Sequence, residues 1–263
     1  MMTLSARNLN KRFGHITAVR NVSLRILPGR ITGFLGPNGA GKTTLFYLLS
    51  GDLSPDSGRI ILEENGTKVD LAKLRRHRVA RSGVGFLYQD IRVFSTLSVL
   101  DNVIVALNTP QEDGLCWGFT HLRNMKRIRQ QHREQAVEWL KFVGLYAENE
   151  NSDRLEKKAA ELSFGEKKLL CFAQLLSRNF GFLLLDEPMA GLNEYYVHKI
   201  ESLIKHIIAD TDVTVAIIEH DIRVLERLAD FLYFMAEGEI VFFGLTGHVL
   251  GNEDIRRTYI GMD

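Results

Sequence analysis

At 263 residues the chain is long enough for one large lobe or two modest ones around a genuine core. An apolar fraction of 45% beside 25% charged residues excludes a disordered polyelectrolyte, and a net charge of +1 argues against a dedicated nucleic-acid surface while leaving local basic patches open. The two cysteines, Cys116 and Cys171, lie far apart without metal-ligand spacing, which fits a reducing compartment. The opening residues carry Arg7, Lys11 and Arg12 and no apolar core of signal-peptide type, and no apolar run approaches the roughly 18 residues that span a bilayer. The expectation is a soluble protein, for which any membrane role comes through a partner.

Residues 4–9 and 19–26 alternate apolar and polar side chains as half-buried strands do, with Phe13-Gly14-His15 as the turn between them. The apolar, β-branched run 31–35 reads as a buried strand. It leads into Gly36-Pro37-Asn38-Gly39-Ala40-Gly41-Lys42-Thr43, the spacing of a phosphate-binding loop, and Thr44 opens the helix that follows. Glycines at 36, 39 and 41 allow positive φ, so backbone N–H groups and a helix N-terminus can face phosphates. Lys42 supplies a charge for the β- and γ-phosphates of a nucleoside triphosphate, and the Thr43 hydroxyl is placed for Mg²⁺.

Beyond this helix come a turn at 54–58, a strand at 59–63 and an Asn65-Gly66 hairpin signal before 67–69. The basic run 71–81 reads as a solvated helix face, with a membrane or nucleic-acid contact as the other reading. Residues 84–88 form a second buried strand that delivers Gln89 to its carboxyl end. Ser98 caps a helix over 98–107 with Asp101 in its first turn. Residues 108–124 look irregular, and 125–143 form an amphipathic helix. A helix running to Leu176 opens at Leu162-Ser163-Phe164-Gly165-Glu166. The strand 182–186 ends in Asp186 and Glu187, with Pro188 stopping the ladder. A helix over 194–209, a strand over 213–219 that hands over His220, a helix at 225–229, a hairpin of 231–235 with 240–243, and a terminal helix at 254–260 complete the chain. The alternation predicts an α/β fold: a P-loop NTPase core with a mainly parallel sheet, an antiparallel β edge and an inserted helical subdomain. Residues 1–89 and 178–263 make the core and 90–177 the helical subdomain of a single domain.

Four strands therefore end in Gly36, Gln89, Asp186-Glu187 and His220, and ligands of open α/β sheets gather at that edge. Asp186 is the candidate to hold Mg²⁺ through water, with Thr43 and Gln89 beside it; Glu187 is the candidate to orient and deprotonate an attacking water. His220 could stabilise the γ-phosphate, and Lys42 and Gln89 complete the candidate catalytic set.

These residues resemble the ATP-binding subunits of ABC transporters over nearly the whole chain, and Leu162 to Glu166 is similar to the family signature. The resemblance implies that Ser163, Gly165 and Glu166 of one subunit close over ATP held by another, homo- or heteromeric. It further implies that Phe13 stacks on adenine, that Gln89 couples to transmembrane permease subunits, and that Ala190-Gly-Leu-Asn193 passes between the two sites. Phe13 also has a reading as a core or turn aromatic. Phe13, Phe164, Glu166 and Asn193 depart from the family's commoner tyrosine, glycine, glutamine and aspartate. Within the family the chain is most similar to branched-chain amino acid importer ATPases, on residues 89–94, the insertion 108–133, residues 190–193 and the ending Tyr259-Ile-Gly261. That implies a solute-binding protein as an indirect partner and a peripheral place on the cytoplasmic face of the inner membrane. The lipopolysaccharide-export ATPases, which share 89–107 and the ending but typically lack so long an insertion, are the alternative, as is a soluble non-transport ABC ATPase. A GTPase would want Asn-Lys-x-Asp, whereas Asn10-Lys11 is followed by Arg12-Phe13.

Overall fold

The structure, a computed structural model, describes residues 1–107, 125–147 and 153–255. The irregular stretch 108–124, Cys116, the 259–261 ending and the terminal helix beyond residue 255 lie outside the described residues. Two compact units are present: one holds 1–89, 180–191 and the chain from 197 on, the other 90–179 with 192–196. Residues 192–196 thus group with the helical unit.

Among the described residues the strands, all in the first unit, are β1 (Met2–Phe13), β2 (Ile16–Ile26), β3 (Ile31–Leu35), β4 (Ser57–Glu64), β5 (Thr67–Asp70), β6 (Val84–Leu87), β7 (Phe182–Asp186), β8 (Thr214–Ile218), β9 (Phe231–Ala236) and β10 (Glu239–Leu245). An antiparallel sheet runs β2-β1-β4-β5, and a six-stranded sheet runs β10-β9-β3-β8-β7-β6. In the second, β9, β3, β8, β7 and β6 are parallel and only β10 is antiparallel. Strands β3, β6, β7 and β8 are buried along their whole length, because a parallel strand has both faces covered. That is why they read as short apolar runs while β1 alternates. The hairpin signal at Asn65-Gly66 is met by φ of 49° and 80°, as a two-residue primed turn needs. Phe34, Phe46, Leu184, Ile218 and Met235 belong to one buried cluster with the apolar faces of β1 and β2.

The run 71–81 is not one helix. Asp70 caps a single 3₁₀ turn, Leu71–Lys73, by accepting the Ala72 N–H at 3.2 Å; Leu74 and Arg75 are extended, and a second helix spans Arg76–Arg81. Arg76 leaves the basic face to pair with Asp52 and to lie over Tyr88, 4.7 Å from its ring centroid. The helix read at 225–229 is Ile222–Leu228, started early by Asp221, whose carboxylate accepts the Arg223 N–H at 2.9 Å. A short helix at Thr246–Leu250 had no counterpart in the sequence reading.

The second unit holds the helices Val99–Leu107, Met125–Phe142, Asp153–Glu156 and Phe164–Leu176. Ser98 caps the first, accepting the Asp101 N–H at 2.9 Å. Fully buried Asn102 clamps the segment before it, accepting the Phe94 N–H at 2.8 Å and donating to the Phe94 carbonyl at 3.0 Å. Phe94 itself is 54% exposed, whereas Val93 beside it is half-buried.

Candidate nucleotide site

Strand β3 ends at Leu35, and the chain turns through Gly36 to Gly41 into the helix Lys42–Ser50. Gly41 sits at φ 94°, and a Cβ there would come within 2.1 Å of the Ala18 carbonyl oxygen, so glycine is required twice over. Its N-cap residue, Gly41, has no side chain to cap it, which leaves N–H groups of the first turn for a ligand. Pro37, Asn38 and Gly39 are exposed, Thr44 is half-buried, and the Ala40 carbonyl accepts the Gly238 N–H at 3.1 Å, so the β9–β10 turn braces the loop. Lys42 is buried beneath it and donates to the carbonyls of Gly36 at 2.7 Å and Pro37 at 3.0 Å. Burial pushes its pKa down, and the charges of Glu187 and Asp186 work against that shift.

Asp186, fully buried at the end of β7, accepts the Thr43 hydroxyl at 3.4 Å. A hydroxyl and a carboxylate side by side are hard oxygen donors of the kind Mg²⁺ takes. Among the described residues no three His, Cys, Asp or Glu side chains form a metal cage, which suits a cation whose remaining ligands are phosphate oxygens and water. The donor set fits ATP with Mg²⁺.

Glu187 has φ 46°, a left-handed conformation costly for a residue with a Cβ. Its N–H donates to the Ile218 carbonyl at 3.0 Å and its carbonyl accepts the Ala190 N–H at 3.2 Å. Buried Glu219, a residue the sequence reading passed over, accepts the Met189 N–H at 2.9 Å and fixes the following turn. The Glu187 carboxylate is thereby aimed at two partners. Its Oε2 accepts Gln89 Nε2 at 2.8 Å, and its Oε1 lies 2.6 Å from His220 Nε2. Lys42, Thr43, Gln89, Asp186, Glu187 and His220 therefore meet at one sheet edge.

Phe13 closes β1 opposite Ile16, 46% exposed as a residue, with the Lys11 ammonium 5.7 Å from its ring centroid. A half-open ring suits stacking on a base better than a core position does.

In the helical unit, Ser163 caps the helix Phe164–Leu176 in a reciprocal box. Its Oγ accepts the Glu166 N–H at 3.3 Å, and Glu166 Oε2 accepts the Ser163 N–H at 2.8 Å. Phe164 is exposed, but Gly165 is buried: a Cβ there would come within 2.3 Å of the Tyr196 ring. Gly165 is thus a packing position as well as part of the motif. Tyr196 was missed from the sequence, although Asn193 three residues earlier is a cap signal, and its Oδ1 accepts the Tyr196 N–H at 3.1 Å.

Gly41→Ala should abolish measurable ATP binding in a calorimetric titration while leaving the circular dichroism spectrum native. Retained affinity would contradict this account of the loop.

The ABC transporter domain family matches residues 19–190. The chain is 31% identical over 258 residues to the high-affinity branched-chain amino acid transport ATP-binding protein LivG of Escherichia coli (strain K12), covering 98% of this chain and 97% of that protein. It is 32% identical over 263 residues to the lipopolysaccharide export system ATP-binding protein LptB of the same organism, covering 100% and 99%. Among solved structures, an ATP-binding cassette of an ABC transporter in its ADP conformation superposes with a TM-score of 0.80 at 28% identity, covering all of both chains. Likeness along the whole length to cassettes of two different transport systems, joined to the domain match, leaves one family: this chain belongs to the ABC transporters.

Proposed function

We propose that this chain is the ATP-hydrolysing subunit of an importer, working as one of a pair of such subunits beneath a membrane permease. The observation that carries the enzymatic half is the Glu187 carboxylate, held at 2.8 Å by Gln89 and 2.6 Å by His220 on the edge that bears the phosphate loop. The loop N–H groups and Lys42 bind the β- and γ-phosphates. Thr43 and Asp186 would hold Mg²⁺, which would supply charge neutralisation on the phosphates during transfer. Glu187 orients a water and takes its proton as the oxygen attacks the γ-phosphorus and the bond to the bridging oxygen breaks, giving ADP and phosphate. Gln89 and His220 hold that carboxylate in place. Ser163 and the turn after it, from a second chain, complete the enclosure of the γ-phosphate, and Phe13 stacks on adenine.

The solute is a small polar one, such as a branched-chain amino acid or a related amide. The likeness to LivG and the length of 108–133 support this reading. LptB is as similar overall, and its name carries the export alternative. No helix among the described residues is long and apolar enough to cross a membrane. In this reading the chain is peripheral on the cytoplasmic face of the inner membrane, held by the permease, with a solute-binding protein supplying the far side. Of the stretch 89–97, exposed Phe94 is the residue that fills a groove on the permease. Uptake of labelled amino acid by vesicles carrying the chain with its co-purifying membrane subunits tests direction; extraction of lipid without uptake favours the exporter.

Glu187→Gln keeps shape and hydrogen-bonding reach but loses the base, so turnover should fall by roughly 10²- to 10⁴-fold with ATP still bound. Light scattering should then show ATP-dependent pairs that Lys42→Ala fails to form, whereas wild-type turnover would refute Glu187 as the base. Phe94→Asp should lose capture of the permease in a pull-down while ATP affinity holds, and a parallel loss of ATP affinity would return this residue to the local core.

A further inference from the structure

We propose that Arg154 is a positioning residue: it neutralises the Glu166 carboxylate so that the Ser163 end of the helix can close on a triphosphate. The inference rests on the two-chain reading above and adds to it a residue outside every motif singled out in the sequence.

Glutamine at position 166 would complete the same capping box without charge. Glutamate brings a negative charge to the place where that reading puts the γ-phosphate of another chain. The box prevents the carboxylate from swinging away, since Oε2 is committed to the Ser163 N–H at 2.8 Å. Within one chain the charge is favourable, because an acid in the first turn complements the helix dipole. Against a phosphate it is repulsive, and repulsion grows as closing chains expel water.

Arg154, on the short helix Asp153–Glu156, resolves this conflict. Its Nη2 donates to the other oxygen, Glu166 Oε1, at 2.9 Å, across twelve residues of sequence. The pair is partly sheltered, with the two side chains 37% and 22% exposed. Burial would raise the Glu166 pKa, but the Ser163 hydrogen bonds together with the charges of Arg154 and Lys157 hold it below the usual carboxylate range. The acid is therefore ionised at neutral pH, and a guanidinium that never loses its proton is a lasting counter-charge.

The test is a charge cycle in the Glu187→Gln parent, with Mg²⁺ and ATP titrated while pairing is followed by sedimentation velocity. Arg154→Gln should weaken ATP-dependent pairing about tenfold per site, equivalent to about 1.4 kcal/mol. Glu166→Gln should stay within about threefold of the parent, and Arg154→Gln with Glu166→Gln together should return to within about threefold. Unweakened pairing in Arg154→Gln overturns the proposal. So does weakening that the double variant shares, with a common loss of melting temperature, because that marks Arg154 as a structural support alone. A parent that fails to pair at any ATP concentration overturns the two-chain reading, and this inference with it.

Discussion

Everything at the candidate site depends on the register of the parallel strands β6, β7, β8 and β3. Leu87 lies opposite Leu185, Asp186 opposite Ile218, and Phe34 opposite Ile218. Those pairings end the strands together, so that Gln89, Glu187, His220 and Gly36 leave the sheet along one edge. Side chains alternate with a period of two, so a slip of one residue would turn Asp186 away from Thr43 and swing the Gln89 and Glu187 side chains apart. These strands are buried on both faces, so a slip would also draw the polar residues at their ends toward the core.

Positive charge at this edge is spent sparingly. A chain of net charge +1 prepares for a polyanion with backbone N–H groups, one helix terminus and the buried Lys42. Lys42 is held by carbonyls of its own loop and is felt by Asp186 and Glu187, so the loop floor carries a charge already balanced by the strand-end acids. Strain accompanies this arrangement. Glu187 adopts a left-handed backbone, fixed by its bond to Ile218 and by the buried acid of Glu219. Such strain persists only where the surroundings over-determine it, which fixes the direction of the Glu187 carboxylate.

Much of this was legible in the sequence because its signals are local. Glycines at 36, 39 and 41, a lysine and a threonine between an apolar run and a helix announce the loop, and strand-end polar residues announce their convergence. What escaped depends on contacts between residues remote in sequence. Nothing near Gly165 tells that the Tyr196 ring will cover it, and nothing near Glu166 points to Arg154. The basic run 71–81 breaks because Asp70 caps a tight turn and because Asp52 and Tyr88 draw Arg76 inward. Phe94 and Val93 differ in exposure because the buried amide of Asn102, remote from them in the chain's local pattern, holds the Phe94 backbone. Asn193, read as a departure from a family pattern, does the work of a helix cap.

The central claim is that one chain's phosphate loop and another's Ser163 turn enclose the same nucleotide. Mixing Asn38→Cys chains with Ser163→Cys chains, each in a Cys116→Ser, Glu187→Gln background, measures it directly under mild oxidation. The account predicts a disulfide-linked species of twice the chain mass that forms with ATP and Mg²⁺ and not without nucleotide. Equal cross-linking with and without ATP, or none under either condition, would contradict it.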